Sequence, residues 1–158
     1  MNAVDFLLQE HRMTEQKFRE IEQADPQQRS SLWRRLQPEL KIHEQMEDDY
    51  LYGPLARDPR LEGTELGTFQ QHQDKDVQEL EQKMSQLNQM DSTGDQWLAK
   101  FSEIRDALMS HVQEEETRIL PKVPEVWDQT KLEEAGRMME EMKRSHAGQA
   151  GQAGQAAR

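Results

Sequence analysis

The sequence predicts an all-α protein: an up-down-up-down four-helix bundle with a short fifth C-terminal helix and a disordered tail. Three observations predict it. Apolar residues recur at three- and four-residue steps in four separate runs, the spacing of one helix face. No segment shows the sustained alternation of a half-buried strand. Valine and the aromatics are sparse while Gln, Glu, Leu, Met and Ala are common, a mix that favours helix over sheet.

The first helix carries Val4, Leu7, Leu8, His11, Phe18 and Ile21 on one face. It ends at Asp25-Pro26, because the residue before a proline is pushed out of the α region. The second carries Leu32, Leu36, Leu40, His43, Met46, Glu47 and Tyr50. Pro38 lies inside it and is expected to kink it or to mark its real start. Gly53-Pro54, Asp58-Pro59 and Gly63 mark the second connection. The third helix carries Phe69, His72, Asp76, Leu80, Met84 and Leu87. Asp91-Ser92-Thr93-Gly94-Asp95 follows and is expected to cap the next helix. The fourth carries Trp97, Phe101, Ile104, Leu108, His111, Glu115 and Ile119, and Pro121 and Pro124 close it. Short connections make such helices antiparallel neighbours. The fifth is expected from about Asp128 to Arg144, with Thr130 and Glu133 as a capping box and Leu132, Ala135, Met138, Met139 and Met142 as its stripe. Residues 1–144 thus form one domain. Ala-Gly-Gln repeats from Ala147 to Gln155, and residues 145–158 read as a disordered tail without an apolar face.

Composition bounds the function. Leu, Ile, Val and Phe make up about 18% of the chain and the formal net charge is -11, which lies near the signature of disorder. The core is therefore thin. A pI near 4.9 argues against a nucleic-acid face. With no cysteine, disulfides, thiolate zinc sites and iron–sulfur clusters are excluded. No run approaches the ~18 apolar residues of a membrane span, and the first residues lack the basic and apolar regions of a signal peptide. The expectation is a soluble cytoplasmic protein without nucleic-acid or membrane partners.

Polar residues interrupt the stripes in a pattern. Four of the five histidines, His11, His43, His72 and His111, fall one to a helix on the predicted core face, and the fifth, His146, lies near the C-terminus. In an antiparallel bundle all four lie ~12–18 Å from the same end at ~1.5 Å rise per residue, so they converge on one layer. An acid stands four residues after each: Glu15, Glu47, Asp76 and Glu115. With 31 acids in 158 residues, four matches in four arise by chance roughly once or twice in a thousand. Glu47 and Glu115 share the phase of the apolar stripe, where an uncompensated carboxylate is costly. Multivalent cations remove that cost. Mixed His and carboxylate ligands on facing helices are how bundles build dinuclear metal sites. Imidazole with carboxylate suits iron, manganese or zinc.

These pieces resemble hemerythrin-like proteins of the HHE cation-binding domain family. The resemblance spans roughly residues 3–144. It rests on His11, on His43-Glu-Gln-Met-Glu47-Asp48, on Gln71-His72, and on His111-Val-Gln-Glu-Glu115-Glu-Thr-Arg-Ile-Leu-Pro121, the most diagnostic piece. The second and fourth helices echo each other, as two pseudo-symmetric hairpins would. The resemblance implies a non-haem centre of two iron ions with an oxide or carboxylate bridge. His11, His43, His72 and His111 would be terminal ligands, and Glu47 and Glu115 would bridge. It implies binding of, or reaction with, O2, peroxide or nitric oxide, in sensing or stress defence. The alternative is a non-enzymatic iron-responsive regulatory or interaction module, with the fifth helix or the tail as its contact. Oxygen-carrying hemerythrins have five histidine ligands; where they carry a second His on the third helix, this chain has Asp76. An anionic oxygen there favours Fe(III) over Fe(II), which weighs against reversible O2 carriage. Asp76, Glu15, Glu44 and Tyr50 are candidates for a further ligand or a hydrogen-bond partner of one. Met13, Met46 and Met109 read as core filler.

Overall fold

The computed structural model describes the backbone of residues 1–156 and side chains through Ala147. Among these residues the chain is helical with no strand. The elements are α1 (Ala3–Gln23), α2 (Pro26–Glu47), α3 (Gly53–Ala56), α4 (Glu65–Asn88), α5 (Asp95–Glu114), α6 (Val123–Val126) and α7 (Gln129–Ala156). Two π turns, Asp48–Tyr52 and Glu115–Ile119, extend α2 and α5 without a break.

Local chemistry sets most of the boundaries. Asn2 caps α1 by accepting from the Asp5 N–H at 2.9 Å. Pro26 opens α2, where its missing N–H costs nothing. Pro38 sits inside α2 and does not mark its start, contrary to one sequence expectation. Thr64 caps α4 through the Gly67 N–H. The expected side-chain cap on α5 is not made: Gly94 is the capping position, and Asp91 instead accepts from Thr93 within its own loop. For α7 the cap is Asp128, which accepts from the Lys131 N–H at 2.8 Å, rather than Thr130. Gly53-Pro54 does not break the chain either. Both residues belong to α3, with Pro54 in its first turn. The sequence places the end of α7 near Arg144, whereas the helix is continuous to Ala156; no proline follows Arg144, and Ala and Gln are compatible with helix. The disordered tail expected over residues 145–158 falls mostly on side chains outside the described residues.

α1 packs against α2, α5 and α7, and α4 packs against α5; α2 and α4 meet in the distal cluster, where Trp33 Nε1 donates to Asn88 Oδ1 at 2.8 Å. The core divides into two clusters. One surrounds the two π turns, at the connections that follow α2 and α5, and includes Phe6, Leu7, Met46, Tyr52, Phe69, Ile119 and Met139. The other, at the opposite end, includes Phe18, Ile21, Trp33, Leu36, Met84, Phe101 and Ile104. Along each main helix one polar residue separates the two: His11 between Leu7 and Phe18, His43 between Leu36 and Met46, Gln73 between Phe69 and Met84, His111 between Ile104 and Ile119. A polar layer therefore crosses the bundle. No helix among the described residues is long and apolar enough to cross a membrane.

Candidate metal centre

The layer is built from α1, α2, α4, α5 and the two π turns. His11, Glu47, Gln73 and Glu115 are buried, and His43 and His111 are half-buried. His43 Nε2 lies 2.7 Å from Glu47 Oε1. His11 Nε2 lies 3.5 Å from Glu47 Oε1 and 3.6 Å from Glu115 Oε1. His111 Nε2 lies 3.6 Å from Glu115 Oε2. The His11 and His43 rings meet at 5.0 Å, and His111 stacks on Phe69 at 6.0 Å. Two groups of donor atoms each lie within 4.8 Å of one another: His11, His43 and Glu47, and Glu47, His111 and Glu115. Glu47 belongs to both. Each group could hold a metal ion.

Electrostatics show what the donors require without a cation. Burial, then the negative Glu47, push the Glu115 carboxyl well above the usual carboxylate range. Burial also pushes Glu47 up. The positive His43 and the polar contacts with His11 and His43 outweigh it, and Glu47 lies well below the usual range. Burial alone would lower His43, but the charge and hydrogen bond of Glu47 raise it. The opposite directions are those of neighbouring like charges, with Glu115 the carboxyl that favours its neutral form.

Many polar atoms here remain orphaned. Both ring nitrogens of His11, Nδ1 of His43 and both carboxylate oxygens of Glu115 are sealed from solvent without a hydrogen-bond partner. Each such group costs ~1–3 kcal/mol if left unpaired. Orphans on three helices, facing one layer, fit a cation far better than they fit an apolar core. Three imidazoles and two carboxylates form a donor set suited to iron, manganese or zinc.

The structure brings together five of the six principal residues expected from sequence. His72 is not among them: it is exposed and belongs to neither donor group. The buried face of α4 runs Leu66, Phe69, Gln73, Met84 and Leu87. Gln73 therefore takes the place expected for His72, with its amide Nε2 2.9 Å from His111 Nε2. Asp76 is exposed, although it borders the cavity beside the centre. Glu15 is exposed and pairs with Arg19 at 2.7 Å. Glu44 is half-buried on the cavity wall, and burial, then Glu81, raises its pKa to about 7. Tyr50 is half-buried against the cluster at the connections. The tyrosine at the centre is Tyr52, fully buried, with an orphaned hydroxyl beside Glu115. Burial, then the charges of Glu115 and Glu47, keep that phenol well above its ordinary pKa.

The fold, the two clusters and the shared carboxylate define a helical-bundle cation-binding domain. The model of the Hemerythrin HHE cation binding domain matches residues 2–123, and the chain belongs to that family. Among solved structures it is similar to the crystal structure of a Hemerythrin HHE cation binding domain-containing protein from Mycobacterium kansasii. The identity is 25% and the TM-score 0.75, covering 91% of this chain and 86% of that one. No curated protein sequence matches it.

Proposed function

We propose that this chain holds two iron ions and that the loaded centre binds or reacts with O2, peroxide or nitric oxide, in sensing or stress defence. His11 and His43 would hold one ion, His111 and Glu115 the other, with Glu47 shared. The observation that carries this reading is the orphaned set on His11 and Glu115, buried beside a carboxylate common to both donor groups. Bound iron would supply Lewis acidity and one-electron redox change at this layer. The protein supplies the rest. Glu115 gives up its proton when a cation replaces it. The π turn after Glu47 sets the Tyr52 hydroxyl beside Glu115. Gln73 occupies His111 Nε2 and must yield that nitrogen to an ion. Three imidazoles in place of the five ligand histidines of oxygen-carrying hemerythrins favour reactivity or sensing over reversible O2 transport.

Metal analysis of the protein as purified, with an absorption spectrum, tests the reading. The expected result is about two irons per chain and ligand-to-iron charge-transfer bands that change with peroxide or nitric oxide. An iron-loaded protein whose spectrum ignores O2, peroxide and nitric oxide overturns it.

One observation favours a second reading, an iron-responsive module that signals through its own folding. The polar layer separates two apolar clusters, so cation binding and cohesion are coupled. Chelation that lowers the melting temperature while peroxide and nitric oxide leave the loaded spectrum unchanged would select it.

A further inference from the structure

A cavity of about 810 Å3 opens among α1, α2, α4 and α5 and reaches the metal centre. Small-molecule sites occupy roughly 300–1,000 Å3. A water's share of liquid volume is about 30 Å3, so a diatomic ligand or a peroxide would leave most of this space unfilled.

The walls change character along the bundle. The deepest layer is His11, His43, Glu47, His111 and Glu115. Next come Leu40, Val77, Leu80, Met84 and Leu108. Leu40, Leu80 and Leu108 are only partly buried at the edge of the distal cluster, so apolar surface faces the space. Arg34 and Asn88 lie further along it. At ~1.5 Å per residue Arg34 stands ~13 Å along α2 from His43.

Charge narrows the occupant. Lys83 at the rim is paired with Glu103 at 3.2 Å. Among the described residues Arg34 and Lys41 make no ion pair, and Arg34 donates only to Ser30 Oγ at 2.9 Å. Both line the cavity from α2. The walls also carry Glu44 on α2, Asp76, Glu79 and Glu81 on α4 and Glu114 on α5, which disfavours a compact dianion such as phosphate. A single negative head at the unpaired Arg34, with an aliphatic body along the leucine layer, matches these walls.

We infer that this cavity binds a medium-chain aliphatic monocarboxylate, its head on Arg34, its chain along the leucine layer and its far end at the metal centre. This deepens the proposed function, because it names an organic molecule that reaches the same metals. It rests on that reading for its meaning but not for its test.

The test is titration of decanoate into full-length protein, followed by calorimetry and by fluorescence of the tryptophans, with iron content measured in parallel. Iron-loaded and chelated protein are both expected to bind one decanoate per chain. Arg34→Glu at the exposed mouth should weaken binding about tenfold, near 1.4 kcal/mol. Leu80→Trp, which fills the middle of the cavity, should abolish it while iron content is kept. Decyltrimethylammonium, with the opposite head charge, should bind more weakly than decanoate. No saturable decanoate binding to iron-loaded protein overturns the inference and leaves the di-iron reading standing. Equal affinity in wild type and Arg34→Glu, or for the two head groups, also overturns it. Decanoate binding to a protein that takes up no iron supports the cavity and sinks the di-iron reading instead.

Discussion

At the scale of single residues the centre is a problem of protons before it is one of metals. Glu115 is buried beside Glu47, and its carboxyl lies well above the usual range because burial and then that neighbour oppose its charge. Both causes favour the neutral acid form of Glu115 in the metal-free protein, and an amide imitates that form in shape and charge. Glu115→Gln should leave the melting temperature of the chelated protein within a few degrees of wild type, because no new buried charge is exposed. The same variant should bind less metal than wild type in metal analysis. A large drop in melting temperature with full metal content would contradict the protonation assigned here. Glu44 makes a second case. Its pKa rises from 4.5 to about 7 through burial, then Glu81, Asp48 and Glu47. The folded state binds that proton more tightly than the unfolded chain, so Glu44 lowers stability as pH rises from the unfolded value through 7. The residue is partly solvated, and screening reduces the effect. In chelated protein Glu44→Gln should melt higher than wild type at pH 8 and no higher at pH 4. Thermal scans at the two pH values decide it, and an equal gain at both would show that packing rather than charge is responsible.

At the scale of elements the two π turns explain both what was legible and what was not. The four main helices could be read because Leu, Phe and Trp recur with helical period, and that period survives sparse apolar composition. The same period places Tyr50 on the core face three residues after Glu47. The π turn closes with the Gly53 N–H bonded to the Asp48 carbonyl, one residue longer than an α turn. Its extra residue rotates the chain so that Leu51 and Tyr52 face inward. No hydrophobic pattern signals such an insertion. The second turn, closed by Leu120 onto Glu115, repeats the device at the equivalent place in the other hairpin. The echo of His43-xxx-Glu47 in His111-xxx-Glu115 was visible, but its structural consequence was not. On α4 the difference is one of phase. The steps Phe69–His72 and Phe69–Gln73 both fit a helical period, and the structure buries Gln73 and leaves His72 exposed. Gly53 shows how tightly the first turn is built: a Cβ there would lie 2.5 Å from the Asp48 carbonyl oxygen. Gly53→Ala should cost ~1–3 kcal/mol, the usual range for overpacking. It should also lower metal occupancy, because the turn fixes Glu47 relative to Tyr52. Chemical denaturation with parallel metal analysis measures both, and an unchanged midpoint would mean the turn is slack.

At the scale of the whole molecule, a thin core is cut in two by the layer that makes the site. About 18% strong apolar residues and a net charge of -11 leave little surplus, and native stability is only ~5–15 kcal/mol in any domain. The layer of His11, His43, Gln73, His111 and the two glutamates lies between the cluster at the connections and the distal cluster. Without a cation, His11, His43 Nδ1 and Glu115 offer orphaned polar atoms instead of cohesion. With one, the same atoms become cross-links between α1, α2 and α5, and the binding free energy adds to folding free energy. Loading should raise the melting temperature, and because Glu115 favours its protonated form and must release that proton, the gain should grow as pH rises. The sharper expectation concerns cooperativity. Loaded protein should unfold as one unit, with calorimetric and van't Hoff enthalpies equal. Chelated protein should melt lower, with the calorimetric enthalpy exceeding the van't Hoff value, because the two clusters are then free to open separately. Hydrogen exchange should agree: amides near His11, His43 and His111 should approach global protection only when metal is bound. Equal melting temperatures and equal enthalpy ratios with and without metal would mean that the polar layer is cohesive by itself, and that the orphaned atoms are satisfied by water rather than by ions.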